Sequence, residues 1–473
     1  MKIIDKILRK ESLDNYLKTD SKFEKTIGPK DLLALGIGAV IGTGIFILPG
    51  TVAALKAGPS ITISFVIAAI VCALAGMCYA EFAASIPVAG SAYSYGTIIY
   101  GELPGWVLGW ALILEYVLAV AAVSTGWSAY FGSLLGGFGI HIPTAISGSF
   151  NPSHGTYINL FAIIIVLLIG FLLNRGFQSS IRINNFMVFV KIAIILIFIL
   201  VGIFYVKPTN WKPYFPFGVH GTLAGASTVF FAYLGFDTVS ASAAEVKNPS
   251  KTMPIGIIGT LIIATIFYVA VSLVLTGMVP YTKLNVANPV ALALQLVHQN
   301  WVAGLLSLGA LAGMTTMMIS MIYGSSRLVY ATGRDGLLPK VLGNLVGEHH
   351  SPRNAMVVVT IFIAFLGGFV PLDQLTNLVN MGTLLAFALV SLGIIPLRHR
   401  QDIPNTGFKV PGYPFIPIIS ALACIYLITT LSVETWIGSA IWFGIGLIIY
   451  FSYGIHHSKL AQKKKSCDKG KCL

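Results

Sequence analysis

Apolar runs close to the length of a membrane-crossing helix recur from residue 31 to residue 455, and no other feature constrains this chain as much. About 20 residues of α-helix cross the ~30 Å hydrocarbon core of a bilayer. Lipid offers free backbone groups no partner, so only helices or closed barrels span it. The runs are continuous rather than ~10-residue alternations, which selects helices. Only 10% of the 473 residues are charged and 56% are hydrophobic, against roughly 25% charged in soluble domains. The fold class is an all-α polytopic membrane protein.

Twelve spans are expected, near 31–55, 60–83, 103–131, 157–173, 185–206, 221–245, 254–279, 299–330, 355–371, 376–397, 414–432 and 436–455. Cytoplasmic loops collect Lys and Arg. With the N-terminus inside, the inner loops hold Arg175, Arg182, Lys247, Lys251, Arg327, Arg334, Lys340, Arg353, Arg398, Arg400 and Lys409, and both tails are basic. Outside fall Lys56, Lys207, Lys212 and Lys283, which leaves Lys191 inside a span. Both termini are therefore expected in the cytoplasm, at the cell (plasma) membrane. The net charge of +13 is a topology signal spread over inner loops, not the footprint of a nucleic-acid partner. The first 30 residues are too charged for a secretory signal peptide, so the first span is expected to remain as a membrane helix. Cys72, Cys78 and Cys424 read as packing residues. Cys467 and Cys472 are a lone pair without the second half of a zinc site, so no metal and no organic cofactor is expected.

Residues 31–206 and 221–397 form two blocks of nearly equal length, each with an odd number of spans, the arrangement from which inverted repeats arise. The first span of each block shares a peculiarity. Residues 36–50 read GIGAVIGTGIFILPG, with Gly36, Gly38, Gly42, Gly44 and Gly50 where a helix should be, and residues 227–245 read STVFFAYLGFDTVSASAAE. Both look like helices broken near mid-depth. A break frees N–H groups on one half-helix and carbonyls on the other, which is tolerable at that depth only around a polar filling. An amino-acid zwitterion suits such a gap. Its carboxylate would take the N–H groups around Gly42, Thr43 and Gly44. Its ammonium would take carbonyls near Ile41, Phe231, Ala232 and Leu234. The competing reading of Gly38 and Gly42 is a GxxxG packing step. Asp237, just past the second break, is expected to cap the following half-helix.

The segments GIGAVIGTGIF (36–46), GSAYSYGTIIYGELPGWVLGWALILEY (90–116) and FFAYLGFDTVSASAAEVKNPSKTMPIGI (230–257) closely resemble the cationic amino acid transporter family, part of the amino acid–polyamine–organocation superfamily. The resemblance covers nearly the whole chain and is nearest to bacterial members, with twelve spans and short tails. It implies a five-plus-five inverted-repeat (LeuT-like) core with helices 1 and 6 unwound around the substrate. The implied division is a cytoplasmic tail (1–30), repeat 1 (31–206), repeat 2 (221–397), two further helices (414–455) and a cytoplasmic tail (456–473). Tyr116, Ala119 and, from span eight, Met321 are implied to line the pocket with Phe231 and Leu234.

Three ionisable residues lie inside expected spans. Lys191 is roughly 9 Å into span five, shallow enough to snorkel to the inner surface. The resemblance implies instead that its ammonium stands where sodium-coupled relatives hold a cation. Gly38 and Thr315 or Thr316 would be its neighbours, and a buried amine there could load and release a proton to couple transport. Glu115, about 18 Å into span three, is either a structural hydrogen-bonded acid or a second coupling group. Glu81, Glu102 and Glu245 fall near the inner surface, within reach of loop arginines.

The implied pocket lining is mainly apolar, and a methionine fills space that a long cationic side chain needs. The expected function is secondary active transport, by alternating access and proton symport, of small or medium neutral L-amino acids such as alanine, serine, threonine or valine. Sodium coupling or amino acid exchange, and arginine or lysine transport, are the alternatives within the class. A transporter-fold sensor is the alternative outside it, although the short tails leave no room for an output domain. No enzyme is expected: the nine histidines, His349 and His350 among them, lie mostly in tails and loops, and no HExxH or nucleophile–base pair occurs.

Overall fold

Buried among apolar neighbours, a backbone must close its hydrogen bonds within its own helix, and the apolar runs do so. The computed structural model describes residues 7–20, 25–88, 90–175, 181–345, 352–403 and 407–462. Cys467, Cys472, His349, His350 and the tail beyond residue 462 lie outside the described residues. In chain order the helices are α1 (Leu13–Asp20), α2 (Pro29–Val40), α3 (Thr43–Phe46), α4 (Leu48–Val52), α5 (Ile61–Ser85), α6 (Ser91–Ile99), α7 (Glu102–Gly137), α8 (Leu160–Asn174) and α9 (Ile181–Gly202). They continue with α10 (Gly218–Val229), α11 (Phe236–Ala241), α12 (Pro249–Met278), α13 (Pro289–Leu296), α14 (Asn300–Arg334), α15 (Arg353–Phe369), α16 (Leu372–His399), α17 (Phe415–Thr429) and α18 (Val433–Ile449). Eight helical stretches among the described residues are long and apolar enough to cross a membrane, and α8, α15 and α17 are shorter apolar helices. Extended pairing among the described residues is limited to isolated bridges, such as Ile27 with Val246.

Several helices depart from the expected spans, α6, α12 and α13 among them. The nine residues of α6 are all buried, yet SAYSYGTII is too short and too rich in hydroxyls to read as a span. Helix α12 starts at Pro249 rather than near residue 254. Proline is tolerated in a first turn, where its missing N–H has no intrahelical partner to lose.

Helix α7, with 36 residues, is about 54 Å long and packs against α14 and α16. Helix α12 packs against α2 and α5, and α9 against α2 and α14. The short α3 thereby lies among α7, α12 and α14. Helix α18 is fastened to α7 by a reciprocal pair: Trp110 Nε1 donates to the Trp442 carbonyl (2.9 Å) and Trp442 Nε1 to that of Trp110 (3.2 Å). Large apolar side chains on α9 and α18, including Phe186, Phe189, Leu200, Ile437 and Ile441, are exposed, as a lipid-facing surface requires.

At the end of α5, the Arg398 guanidinium grips Glu81 through two bonds of 2.7 and 2.8 Å and donates to the Val410 carbonyl. The Val410 N–H returns a bond to Glu81 (2.6 Å), and Tyr413 stacks on the guanidinium at 4.3 Å. Of the other two acids expected near the inner surface, Glu102 accepts from the hydroxyls of Tyr450 and Ser458. Glu245 meets Ile27 through its main-chain carbonyl.

Candidate functional site

The helical path of α2 ends at Ile41, whose backbone is extended (φ −79°, ψ 97°), and restarts as α3 at Thr43. The second break follows Leu234, also extended (φ −61°, ψ 146°), and α11 restarts after Gly235 at φ 110°. Only glycine adopts that left-handed conformation without strain, and a β-carbon there would also lie 2.8 Å from the Ala39 carbonyl oxygen. The two breaks face each other reciprocally. Gly235 of the second presses on Ala39 before the first, and a β-carbon on Gly44 would lie 2.6 Å from Ala232 Cα.

Glycines of the first break therefore serve close approach as much as bareness. A β-carbon on Gly36 would overlap the Thr260 hydroxyl, and one on Gly42 the Met317 sulfur. The N–H groups opening α3, those of Gly42, Thr43 and Gly44, begin a half-helix and have no intrahelical acceptor. The Thr43 hydroxyl beside them is fully buried and without a hydrogen-bond partner among the described residues.

The carbonyls at the breaks are partly engaged. Lys191, 1% exposed, donates to the carbonyls of Gly38 and Ile41, both at 2.9 Å. Its ammonium is directed into the fold instead of snorkelling. Gly38 is thus a neighbour, as the resemblance implied, while the two threonines bond elsewhere. Thr315 donates to Leu311 and accepts from Trp127 Nε1, and Thr316 donates to Gly313. On α14, Gly313 packs on the lysine: a β-carbon there would lie 3.0 Å from Lys191 Cε. Phe231 O takes the Leu234 N–H, and Ala232 O takes the Tyr268 hydroxyl (2.6 Å), which also lies 3.0 Å from Val40 O.

Asp237 is buried in the first turn of α11, with one carboxylate oxygen accepting from Tyr116 (2.8 Å) and the other without a partner among the described residues. The N-cap position belongs to Gly235, so Asp237 complements the positive end of the half-helix from inside the turn and ties it to α7. Glu115, the neighbour of Tyr116 in sequence, is fully buried with both oxygens unpartnered among the described residues, and Asp237 and Thr383 are its polar surroundings. Ala119 and Met321 are buried on α7 and α14.

Sequence reasoning missed Tyr268, Gly313 and Met317. The signal for Tyr268 was present: a tyrosine inside the apolar run IIATIFYVAVS needs a partner for its hydroxyl.

A protein-family model described as "Amino acid permease" matches residues 27–453. The chain is 49% identical over 457 residues to the methylthioribose transporter of Bacillus subtilis (strain 168), covering 96% of this chain and 99% of that protein. It is 48% identical over 463 residues to the branched-chain amino acid permease BcaP of the same organism, with coverage of 96% and 99%. Cationic amino acid transporter 4 of Homo sapiens is 32% identical over 393 residues, 82% of this chain and 62% of that protein.

Proposed function

The chain belongs to the amino acid permease family, a transporter rather than an enzyme, and on that premise we propose that it moves small and medium neutral L-amino acids across the cell membrane by proton symport. In this reading twelve spans carry a five-plus-five inverted repeat, with both termini in the cytoplasm. The observation that carries it is that buried polar atoms without partners among the described residues, Thr43 Oγ1 at one and an oxygen of Asp237 at the other, flank two helix breaks that press on each other. The substrate carboxylate takes the N–H groups of Gly42, Thr43 and Gly44 with the Thr43 hydroxyl. The ammonium takes remaining lone pairs of carbonyls from Phe231 to Leu234. The side chain points towards Tyr116, Ala119 and Met321. Similarity to a branched-chain amino acid permease supports an apolar neutral side chain.

Lys191 is the coupling group in this reading. Protonated, it binds the carbonyls that end α2; deprotonated, it keeps two N–H donors but loses the charge that strengthens both bonds, so the state of the proton and the shape of the break are linked. The buried acids Glu115 and Asp237 favour a second reading, in which a cationic side chain is accepted. Uptake of labelled alanine into proteoliposomes, with and without an outside-acid gradient and with arginine as competitor, tests both. Gradient-driven accumulation of alanine is expected. Exchange that ignores the gradient would overturn symport, and stronger competition by arginine than by valine would favour the second reading.

A further inference from the structure

Helix α14 presents one face to the first break, and that face is built in an unusual order. Gly309 packs on Ile194 of α9, and one turn later Gly313 packs on the methylene stem of Lys191. The two glycines draw the α14 backbone directly against α9. One further turn along the same face comes Met317, 3% exposed, whose sulfur occupies the space that a β-carbon on Gly42 would need. The main chain that carries Met317 is held by close packing on both preceding turns. Its sulfur lies against Gly42, one of the residues whose N–H groups the substrate carboxylate takes in the reading above.

We infer that Met317 is the displaceable cover of the amino-acid site: its thioether packs against Gly42 and swings aside when substrate binds. The inference rests on the reading of the break as the amino-acid site. An unbranched side chain with three torsions and a polarisable sulfur changes rotamer at little cost and repacks against whatever it meets. A β-branched residue on a helix is held to one χ1 well and could not clear the same space. Residue 317 thereby sets how readily the site admits a ligand, and the fixed backbone under it restricts the change to one side chain. Because Lys191 holds the Ile41 carbonyl beside Gly42, displacement of the cover also bears directly on the segment that the lysine controls.

The two roles open to a buried methionine predict opposite orders of affinity. If Met317 is a cover, Met317→Ala leaves the space open and binds alanine at least as tightly as the wild type. Met317→Ile, nearly conserved in volume, then weakens binding about tenfold or more. If Met317 is only packing, the volume-conserving Ile variant is tolerated and the Ala variant, which opens a cavity, is the damaged one. The experiment is equilibrium binding of labelled L-alanine to the purified full-length chain in detergent, for wild type, Met317→Ala, Met317→Leu and Met317→Ile, with a melting curve for each. The expected order is Ala at or above wild type, Leu lower, Ile lowest. Should the Ile variant fail to fold, Leu weaker than Ala carries the same test. The reverse order overturns the inference while leaving the site reading intact. A wild type that binds no neutral L-amino acid removes the site reading and this inference together.

Discussion

The ammonium of Lys191 stands 2.9 Å from the carbonyl oxygen of Ile41, the residue at which the first helix breaks. A charge-assisted hydrogen bond of this kind is stronger than a neutral one, and a second runs to Gly38. Lys191→Ala is expected to abolish gradient-driven accumulation of alanine, by about tenfold or more, while leaving alanine counterflow in place. A pH-gradient uptake assay run beside a counterflow assay reads both. Wild-type accumulation in the variant would remove Lys191 from coupling.

Tyr268 places one hydroxyl against carbonyls from both breaks, Val40 and Ala232. Tyr268→Phe keeps the packing and leaves a buried carbonyl short of a donor, a loss of about 1–3 kcal/mol. The expected result is a maximal uptake rate several-fold lower, with a modest drop in melting temperature. An unchanged uptake rate would show that the breaks hold their shape without the tyrosine.

Gly44→Ala would set a β-carbon 2.6 Å from the main chain and side chain of Ala232, and backbone cannot yield as a flexible side chain can. Loss of alanine binding is expected, with aggregation or a lowered melting temperature. Gly304→Ala on α14, where a β-carbon meets nothing within 4 Å among the described residues, is the control and should bind and melt as wild type. Binding by both variants alike would separate the breaks from substrate recognition.

Glu81 is fully buried and held by Arg398 through two bonds. Removing one partner of a buried pair costs roughly 3–5 kcal/mol, because the other charge stays buried alone. Arg398→Met should therefore melt well below wild type, and Glu81→Gln combined with it should recover part of the loss. Additive damage in the double variant would mean the pair is not coupled.

Asp402 lies beyond the end of α16, where the hydrogen bonds from Arg400 hold its carboxyl below the ordinary carboxylate value. A carboxyl depressed in the folded state stabilises above its unfolded pKa and loses that contribution as pH falls through the folded value. The pair is solvent-exposed, and such pairs are worth about 0–1 kcal/mol. Asp402→Asn should leave the melting temperature within a degree or two of wild type at neutral pH, with the difference shrinking as pH falls below the ordinary aspartate value. A large drop at neutral pH would assign this corner a role in the fold.

The sequence alone determined that the chain is helical, crosses a membrane many times and breaks two of its helices. Those properties follow from local causes: run length against bilayer thickness, the absence of solvent for backbone groups, and glycine at special positions. It also pointed to Lys191, Glu115 and Asp237, since ionisable residues inside apolar runs are rare enough to be conspicuous. What it could not decide is who touches whom. That Lys191 bonds Ile41 as well as Gly38, that its stem packs on Gly313, and that the Met317 sulfur lies against Gly42 are all set by the packing of α14 on α9 and α2. A helix face is fixed to within a fraction of a turn by its neighbours, and one residue of rotation moves a side chain by about 100°. Periodicity carries no information at that precision when every face is apolar, as in α7 and α14. The short helix α6 was hidden for a related reason: its burial comes from the helices around it, not from its own pattern.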